Sequence, residues 1–131
     1  MKEQPARSLV LDSEALSLLL RNDRGMAARI EASRQVGIPV IVSALTIVEA
    51  VQGKTDLARL KWVLSRLRVE PVSQEDSLTA VALLQDAGGH GHKYAIVAAL
   101  ALRVPAPVIV LTSDRDDWSK LCGKRVVIGE V

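Results

Sequence analysis

Residues 107–114, Pro-Val-Ile-Val-Leu-Thr-Ser-Asp, carry the strongest fold signal in this sequence. An unbroken run of branched aliphatic residues, bounded by proline and polar residues, is typical of a strand buried on both faces. Residues 9–11, Leu-Val-Leu, form a second such run, which ends directly at Asp12. Longer segments with helical spacing separate the apolar runs. This alternation predicts an α/β fold with a mainly parallel sheet.

The composition predicts one domain with an aliphatic core. The chain has 131 residues, a mass of 14.1 kDa and 49% apolar residues, and we expect residues 1–131 to form a single domain. It contains no Phe, one Tyr and two Trp, so Ala, Val, Leu and Ile must fill the core. Such side chains suit helices packed on a parallel sheet. The scarcity of aromatic residues disfavours binding of single-stranded nucleic acid by base stacking.

Several protein classes are excluded at this stage. The apolar content argues against intrinsic disorder, and a single cysteine, Cys122, excludes a disulfide framework. One thiol and no signal peptide favour a reducing cytoplasm. The most apolar stretch, residues 95–102, is much shorter than the roughly 18 residues of a membrane span. A formal net charge of +2 does not by itself indicate a polyanionic partner.

Carboxylates follow two of the predicted core strands. Asp12 follows the first strand, and Asp114 follows residues 107–111, with Asp116 and Asp117 just beyond it. Ligand sites in open parallel sheets form beyond the carboxyl ends of the strands, and clustered acids repel one another unless a cation neutralises them. Oxygen ligands favour Mg²⁺ or Mn²⁺. The alternative is that Asp12 and Asp114 only cap the helices that follow them.

Glu49 is the third acidic candidate. It lies in a predicted helix that Ser43 opens, and Leu45 occupies the same helix face one turn earlier. An acid on an apolar face would be buried or would line a cleft, and it would then need a partner such as a metal ion. The alternative is an ordinary solvated glutamate.

The ordered set of motifs resembles the PIN domain family, specifically its VapC-like toxins of bacterial toxin–antitoxin pairs. The motifs lie in residues 9–13, 42–49, 92–96, 110–117 and 121–128. The resemblance covers nearly the whole chain, and it implies a three-layer α/β/α sandwich with a central, mainly parallel sheet. It also implies a metal-dependent endoribonuclease with Mg²⁺ or Mn²⁺ as its cofactor. The implied partners are an RNA substrate, a cognate antitoxin and a second copy of the chain in a homodimer.

The same resemblance assigns roles to individual residues. It makes Asp12, Glu49 and Asp114 metal ligands and catalytic residues, and it adds Asp117 as a catalytic residue that orients a metal-bound water. Supporting polar residues at these positions are Ser13, Thr112 and Ser113.

The sequence departs from the family pattern in the helix before the last core strand. The family carries a further acid there, whereas residues 93–103 contain no carboxylate. In one alignment Val97 replaces this acid; in the other, which we favour, about three residues including it are missing between Tyr94 and Val97. Either way, we expect weaker cation binding and an impaired enzyme. The alternative is a catalytically inactive module that binds RNA or an antitoxin. A phosphate-accepting, response-regulator-like domain is disfavoured, because Asp12 stands alone after the first strand.

Basic residues give a weaker indication of RNA binding. Lys54, Arg59 and Arg66 belong to a basic segment, and the two arginines share one face of a predicted helix. The alternative is a solvated helix surface. We expect the helices at 13–20 and 44–64 either to provide a groove for an antitoxin helix or to be core. His90 and His92 are expected to face solvent, and Cys122 to be a buried filler.

Overall fold

Five strands and seven α-helices alternate along residues 5–51, 53 and 55–131, the part of the chain that the computed structural model describes. The strands are β1 (Ser8–Leu11), β2 (Val40–Ser43), β3 (Arg68–Glu70), β4 (Val108–Thr112) and β5 (Val127–Glu130). The helices are α1 (Ser13–Leu20), α2 (Arg24–Gln35), α3 (Ala44–Ala50), α4 (Leu57–Ser65), α5 (Gln74–Asp86), α6 (Ala95–Arg103) and α7 (Arg115–Cys122).

The strands form one parallel sheet in the order β3-β2-β1-β4-β5. The chain builds outward from β1 in one direction through β2 and β3, and in the other through β4 and β5. The strand order therefore reverses between β1 and β4, where Leu11 lies opposite Leu111. This is the topological switch point, the place where open parallel sheets form their ligand sites.

Two apolar cores on opposite faces of the sheet confirm the three-layer α/β/α architecture. Alternate strand side chains point to opposite faces: Leu9 and Leu11 join α1 to α4 in one core, whereas Val10 and Val110 join α5 to α7 in the other. The alternation sets the direction in which each strand end presents its functional side chain.

The helix starts follow from side-chain capping. Asp12 caps α1, and Ser13 is the first helical residue. Asp23 caps α2. Ser73 and Asp76 form a reciprocal capping box at the start of α5.

The glycine-rich segment before α6 is more constrained than the flexible connection that its sequence predicts. Gly91 is buried with a φ of 83°, and a Cβ atom built on it would lie 2.8 Å from the side chain of Leu121. It leads into a 3₁₀ turn, His92–Tyr94, whose closing N–H of Tyr94 donates to the Gly91 carbonyl at 2.9 Å. Only glycine meets both the backbone and the packing requirement here.

Further predictions of burial are confirmed. Helix α6 is almost entirely buried and carries no acidic residue. Cys122 is buried, and its burial raises the pKa of the thiol to about 11. His90 and His92 are exposed. Within the described ranges, no helix combines the length and the apolar character needed to cross a membrane.

Candidate active site

The switch point brings Asp12 and Asp114 to one edge of the sheet. The backbone N–H of Asp12 donates to the carbonyl of Leu111 at 3.2 Å, which extends the β1–β4 pairing by one step. That register places Thr112 opposite Asp12, and Asp114 follows two residues later. Backbone pairing therefore places both residues at the same edge of the sheet, as the sequence predicts.

Asp12 combines a helix cap with an unpaired buried oxygen. Its Oδ1 accepts from the N–H of Ala15 at 2.9 Å, whereas Oδ2 is buried and has no hydrogen-bond partner among the described residues. The residue is 1% exposed. Burial raises the pKa of Asp12, and the neighbouring Thr112 side chain and backbone N–H groups oppose that rise only in part. A buried carboxylate oxygen without a partner is costly, so the helix cap alone does not account for the burial of Asp12.

Asp114 has hydrogen bonds to both carboxylate oxygens. Its Oδ1 accepts from the N–H of Asp117 at 3.5 Å, which caps α7, and its Oδ2 accepts from the hydroxyl of Tyr94 at 3.1 Å. Its own N–H donates to Oγ1 of Thr112 at 3.0 Å. Asp12 and Asp114 therefore each cap a helix through one oxygen. The second oxygen of Asp12 has no partner among the described residues, whereas that of Asp114 is bonded to Tyr94.

Tyr94 is a site residue that the sequence reasoning missed. Its ring is buried against that of Trp118, with 5.9 Å between centroids. Burial, the hydrogen bond to Asp114 and the negative charges of Asp114, Asp12 and Asp117 all raise the pKa of its hydroxyl. The phenol is therefore neutral and surrounded by acids. The available signal was that Tyr94 is the one tyrosine of the sequence, set directly before the helix that lacks the expected acid.

Glu49 does not complete a three-acid metal-binding group with this pair among the described residues. It is half-buried on α3, whose fully buried positions are Thr46 and Ala50, whereas Leu45 is 39% exposed. The face shared with Leu45 is thus not a core face. Thr46, which was not singled out from the sequence, is fully buried, and its Oγ1 has no partner among the described residues.

The supporting residues differ in their surroundings. Thr112 is buried and holds the backbone of Asp114, as described above, whereas Ser113 is exposed. Ser13 and Asp117 are half-buried in the first turns of α1 and α7.

The residues fit a divalent cation in donor type but fall short in number. Oxygen donors and the unpartnered Oδ2 of Asp12 suit a hard ion. Across residues 5–51, 53 and 55–131, however, no three His, Cys, Asp or Glu side chains lie close enough together to hold one metal ion. In α6, Val97 is 2% exposed and packs in the core. The arrangement fits a cation held by Asp12 and Asp114 and completed by water or phosphate oxygens, which is a common mode for Mg²⁺.

The predicted RNA-contacting arginines lie away from this edge. Arg59 donates to the carbonyl of Leu19 at 3.0 Å, at the end of α1 remote from Asp12, and Arg66 pairs with Glu31 at 3.3 Å. Both guanidinium groups stack on the ring of Trp62, at 5.2 and 5.1 Å from its centroid. Lys54 lies outside the described residues.

Comparison with known proteins finds matches by structure but none by sequence. No family model and no curated protein sequence matches this chain. Solved structures do match. The chain resembles one in the crystal structure of VapBC2 from Rickettsia felis bound to a promoter DNA fragment, with a TM-score of 0.73 and 12% identity over 95% of this chain and 98% of that one.

Two further structures give the same result. A toxin–antitoxin complex from Klebsiella pneumoniae matches with a TM-score of 0.70 and 23% identity, covering 94% of this chain and 99% of the other. DNA-bound VapBC from Salmonella typhimurium matches with a TM-score of 0.69 and 18% identity, covering 94% and 97%. The fold predicted from the motif resemblance is therefore confirmed: this chain has the PIN-like fold, as do its structural neighbours among VapBC toxin–antitoxin complexes.

Proposed function

We propose that this protein is a VapC-like ribonuclease toxin of a type II toxin–antitoxin pair, with a Mg²⁺- or Mn²⁺-dependent site of reduced strength. The observation that carries the proposal is that Asp12 and Asp114 follow the paired strands β1 and β4 at the switch point, with one buried Asp12 oxygen left without a partner among the described residues. The fold shared with VapBC complexes supports the same function.

In this proposal Asp12 and Asp114 hold the cation, and Glu49 is the candidate for a third ligand. The bound cation would activate a water molecule and stabilise charge on the phosphate undergoing attack. The protein's own contribution is positional. Thr112 fixes the backbone of Asp114 through a 3.0 Å hydrogen bond, and Asp117, in the first turn of α7, would orient a water molecule beside the pair.

The reduced strength follows from missing negative charge. Helix α6 contributes no carboxylate, and Glu49 does not complete a three-acid cluster in the described structure. Fewer carboxylates bind a divalent cation less tightly, because each contributes favourable charge interaction.

RNA contacts are proposed through phosphates, with Arg59 and Arg66 as the described candidates. Both arginines already make contacts within the protein. An RNA strand that reached them from Asp12 would have to run the length of α1, which is about 12 Å for eight residues. We therefore expect their substitution to weaken binding modestly and equally across sequences.

The cavity between α1, α2 and α4 is the proposed antitoxin site. It has a volume of about 340 Å³ and is lined by apolar residues such as Leu19 and Ile30, with Trp62 at 54% exposure beside it. Arg59 and Arg66 flank that ring. These features suit an amphipathic helix whose apolar face enters the cavity and whose acidic side chains meet the arginines. Homodimerisation and a cytoplasmic location complete the proposal.

RNA cleavage measured with and without Mn²⁺ tests the proposed function. The arms are the natural chain, Asp12→Asn, and a chain with Asp-Ala-Ala inserted after Ile96; insertion of Ala-Ala-Ala is the matched control. We expect weak Mn²⁺-dependent cleavage that Asp12→Asn abolishes and that only the Asp-containing insertion strengthens. Strong, equal cleavage in the natural chain and in both insertions would contradict an impaired site. RNA binding without cleavage in every arm would indicate the inactive binding module instead.

A further inference from the structure

We propose that Tyr94 blocks cation binding at the edge of the sheet that carries Asp12 and Asp114. Its hydroxyl donates to Asp114 in the place where a divalent cation would otherwise bind. This inference rests on the proposed function, since it concerns the same two carboxylates. It assigns a role to a residue that neither the motif pattern nor the helix caps require.

Tyr94 changes how many of the four carboxylate oxygens of Asp12 and Asp114 are open to a cation. Oδ1 of Asp12 and Oδ1 of Asp114 are engaged by backbone N–H groups at the starts of α1 and α7. Among the described residues Oδ2 of Asp12 has no hydrogen-bond partner, although the Thr112 side chain lies beside this carboxylate and favours its charged form, and Oδ2 of Asp114 accepts from Tyr94. Tyr94 thus engages an Asp114 oxygen that would otherwise be open to a cation.

Packing around the ring holds the Tyr94 hydroxyl in this position. Tyr94 is 7% exposed and its ring contacts that of Trp118, which is fully buried. The 3₁₀ turn that carries Tyr94 starts at Gly91, which packs directly against Leu121. Because the ring is already fixed by Trp118 and by the 3₁₀ turn, its hydroxyl loses little conformational freedom when it donates to Asp114. A cation that binds this oxygen must therefore displace a preorganised hydrogen bond.

The charges around the hydroxyl agree with this role. Asp114, Asp12 and Asp117 all act on it electrostatically. A neutral O–H donor directs the positive end of its dipole at a carboxylate, which relieves part of the repulsion that a cation would relieve fully. Helix α6, which begins directly after Tyr94, supplies no competing acid.

The test is the Mn²⁺ affinity, measured by titration calorimetry, of the natural chain, Tyr94→Phe, Asp114→Asn and the Tyr94→Phe/Asp114→Asn double variant. Tyr94→Phe keeps the ring on Trp118 and removes only the hydroxyl. We expect it to bind Mn²⁺ about five-fold more tightly, the equivalent of one ordinary hydrogen bond, and the double variant to lose that gain.

A second measurement observes the contact itself. Because the chain has one tyrosine, 3-fluorotyrosine labelling gives one ¹⁹F resonance, which should shift saturably with Mg²⁺ in the natural chain and not in Asp114→Asn. Unchanged or weaker Mn²⁺ binding in Tyr94→Phe, with binding still dependent on Asp114, would overturn the blocking role of Tyr94. The proposed function would stand. No Mn²⁺ binding even in Tyr94→Phe would also overturn the blocking role, and the Asp-Ala-Ala insertion would then decide the proposed function separately.

Discussion

Asp12 shows how one residue can serve both the fold and the site. It caps α1 through Oδ1, yet its burial raises its pKa, so the folded state disfavours the charged form that both the helix cap and the proposed cation favour. A carboxyl group with a raised pKa in the folded state lowers stability at neutral pH relative to a neutral group of the same shape. Such a cost is typical of a residue kept for function.

Asp12→Asn should therefore stabilise the protein while it removes activity. Asparagine caps a helix as well as aspartate does, and the variant no longer buries a charge. We expect the free energy of unfolding at pH 7 to rise by about 1 kcal/mol, measured by urea denaturation in EDTA. The control is Asp23→Asn, an exposed cap of α2, for which no change is expected. A loss of stability in Asp12→Asn larger than in the control would contradict this account.

At the residue scale, the sequence predicts where the candidate carboxylates lie in the fold but not which side chains surround them. Asp12 follows an apolar run directly and Asp114 follows one after two polar residues, so their placement at one edge of the sheet can be predicted from a parallel fold. Tyr94 and Thr46 were missed because a single tyrosine before a helix, or a threonine within one, has no periodic signature. Their roles depend on which side chains the tertiary fold places next to them.

At the scale of elements, the turn before α6 determines where Tyr94 points. Gly91 and Gly89 both have positive φ angles, of 83° and 82°, but only Gly91 lies against another side chain. Gly91→Ala should lower the free energy of unfolding by about 2 kcal/mol, through backbone strain plus a clash with the buried Leu121. Gly89→Ala, which pays the strain alone, should cost about 1 kcal/mol. Equal thermal denaturation midpoints for the two variants would show that the contact with Leu121 is unimportant.

Helices α5 and α6 are joined by an ion pair that should make stability depend on pH. Arg103 donates to Asp76 at 2.8 and 3.2 Å, and Asp76 is 4% exposed. The hydrogen bond from Arg103 lowers the pKa of Asp76 below its ordinary value of 3.8. A lowered carboxyl pKa contributes stability that is complete above the ordinary value and is lost as the pH falls from there through the lowered value.

Asp76→Asn should accordingly cost about 2 kcal/mol at pH 7 and flatten the acid limb of the stability curve, measured by denaturation between pH 2 and 7. Asp116→Asn, which removes an exposed pair with Lys120, is the control and should cost less than about 0.5 kcal/mol. An unchanged acid limb in Asp76→Asn would assign the pH dependence to other groups. The capping box around Asp76 was visible in the sequence, but its pairing with Arg103, 27 residues away, was not.

At the scale of the whole molecule, the predicted α/β/α layering and parallel sheet are confirmed because apolar strand runs and helical spacing are both strong signals in this chain. The strand order did not follow from those signals alone. It places β1 beside β4, and thereby joins two acids that are separated by about a hundred residues of sequence. The sequence could not show whether Glu49 joins them. Its helix α3 packs on the same face of the sheet as α1, yet no three acids lie together among the described residues.

The most direct test of the central claim is a double-mutant cycle on Mn²⁺ affinity with Asp12→Asn, Asp114→Asn and both together. If the two carboxylates hold one cation, each single change should weaken binding of the same Mn²⁺ ion by at least about ten-fold, and the double change should weaken it further. Affinities that are unaffected by either change, or two Mn²⁺ sites of which each single variant keeps one at unchanged affinity, would contradict a shared cation site at the switch point.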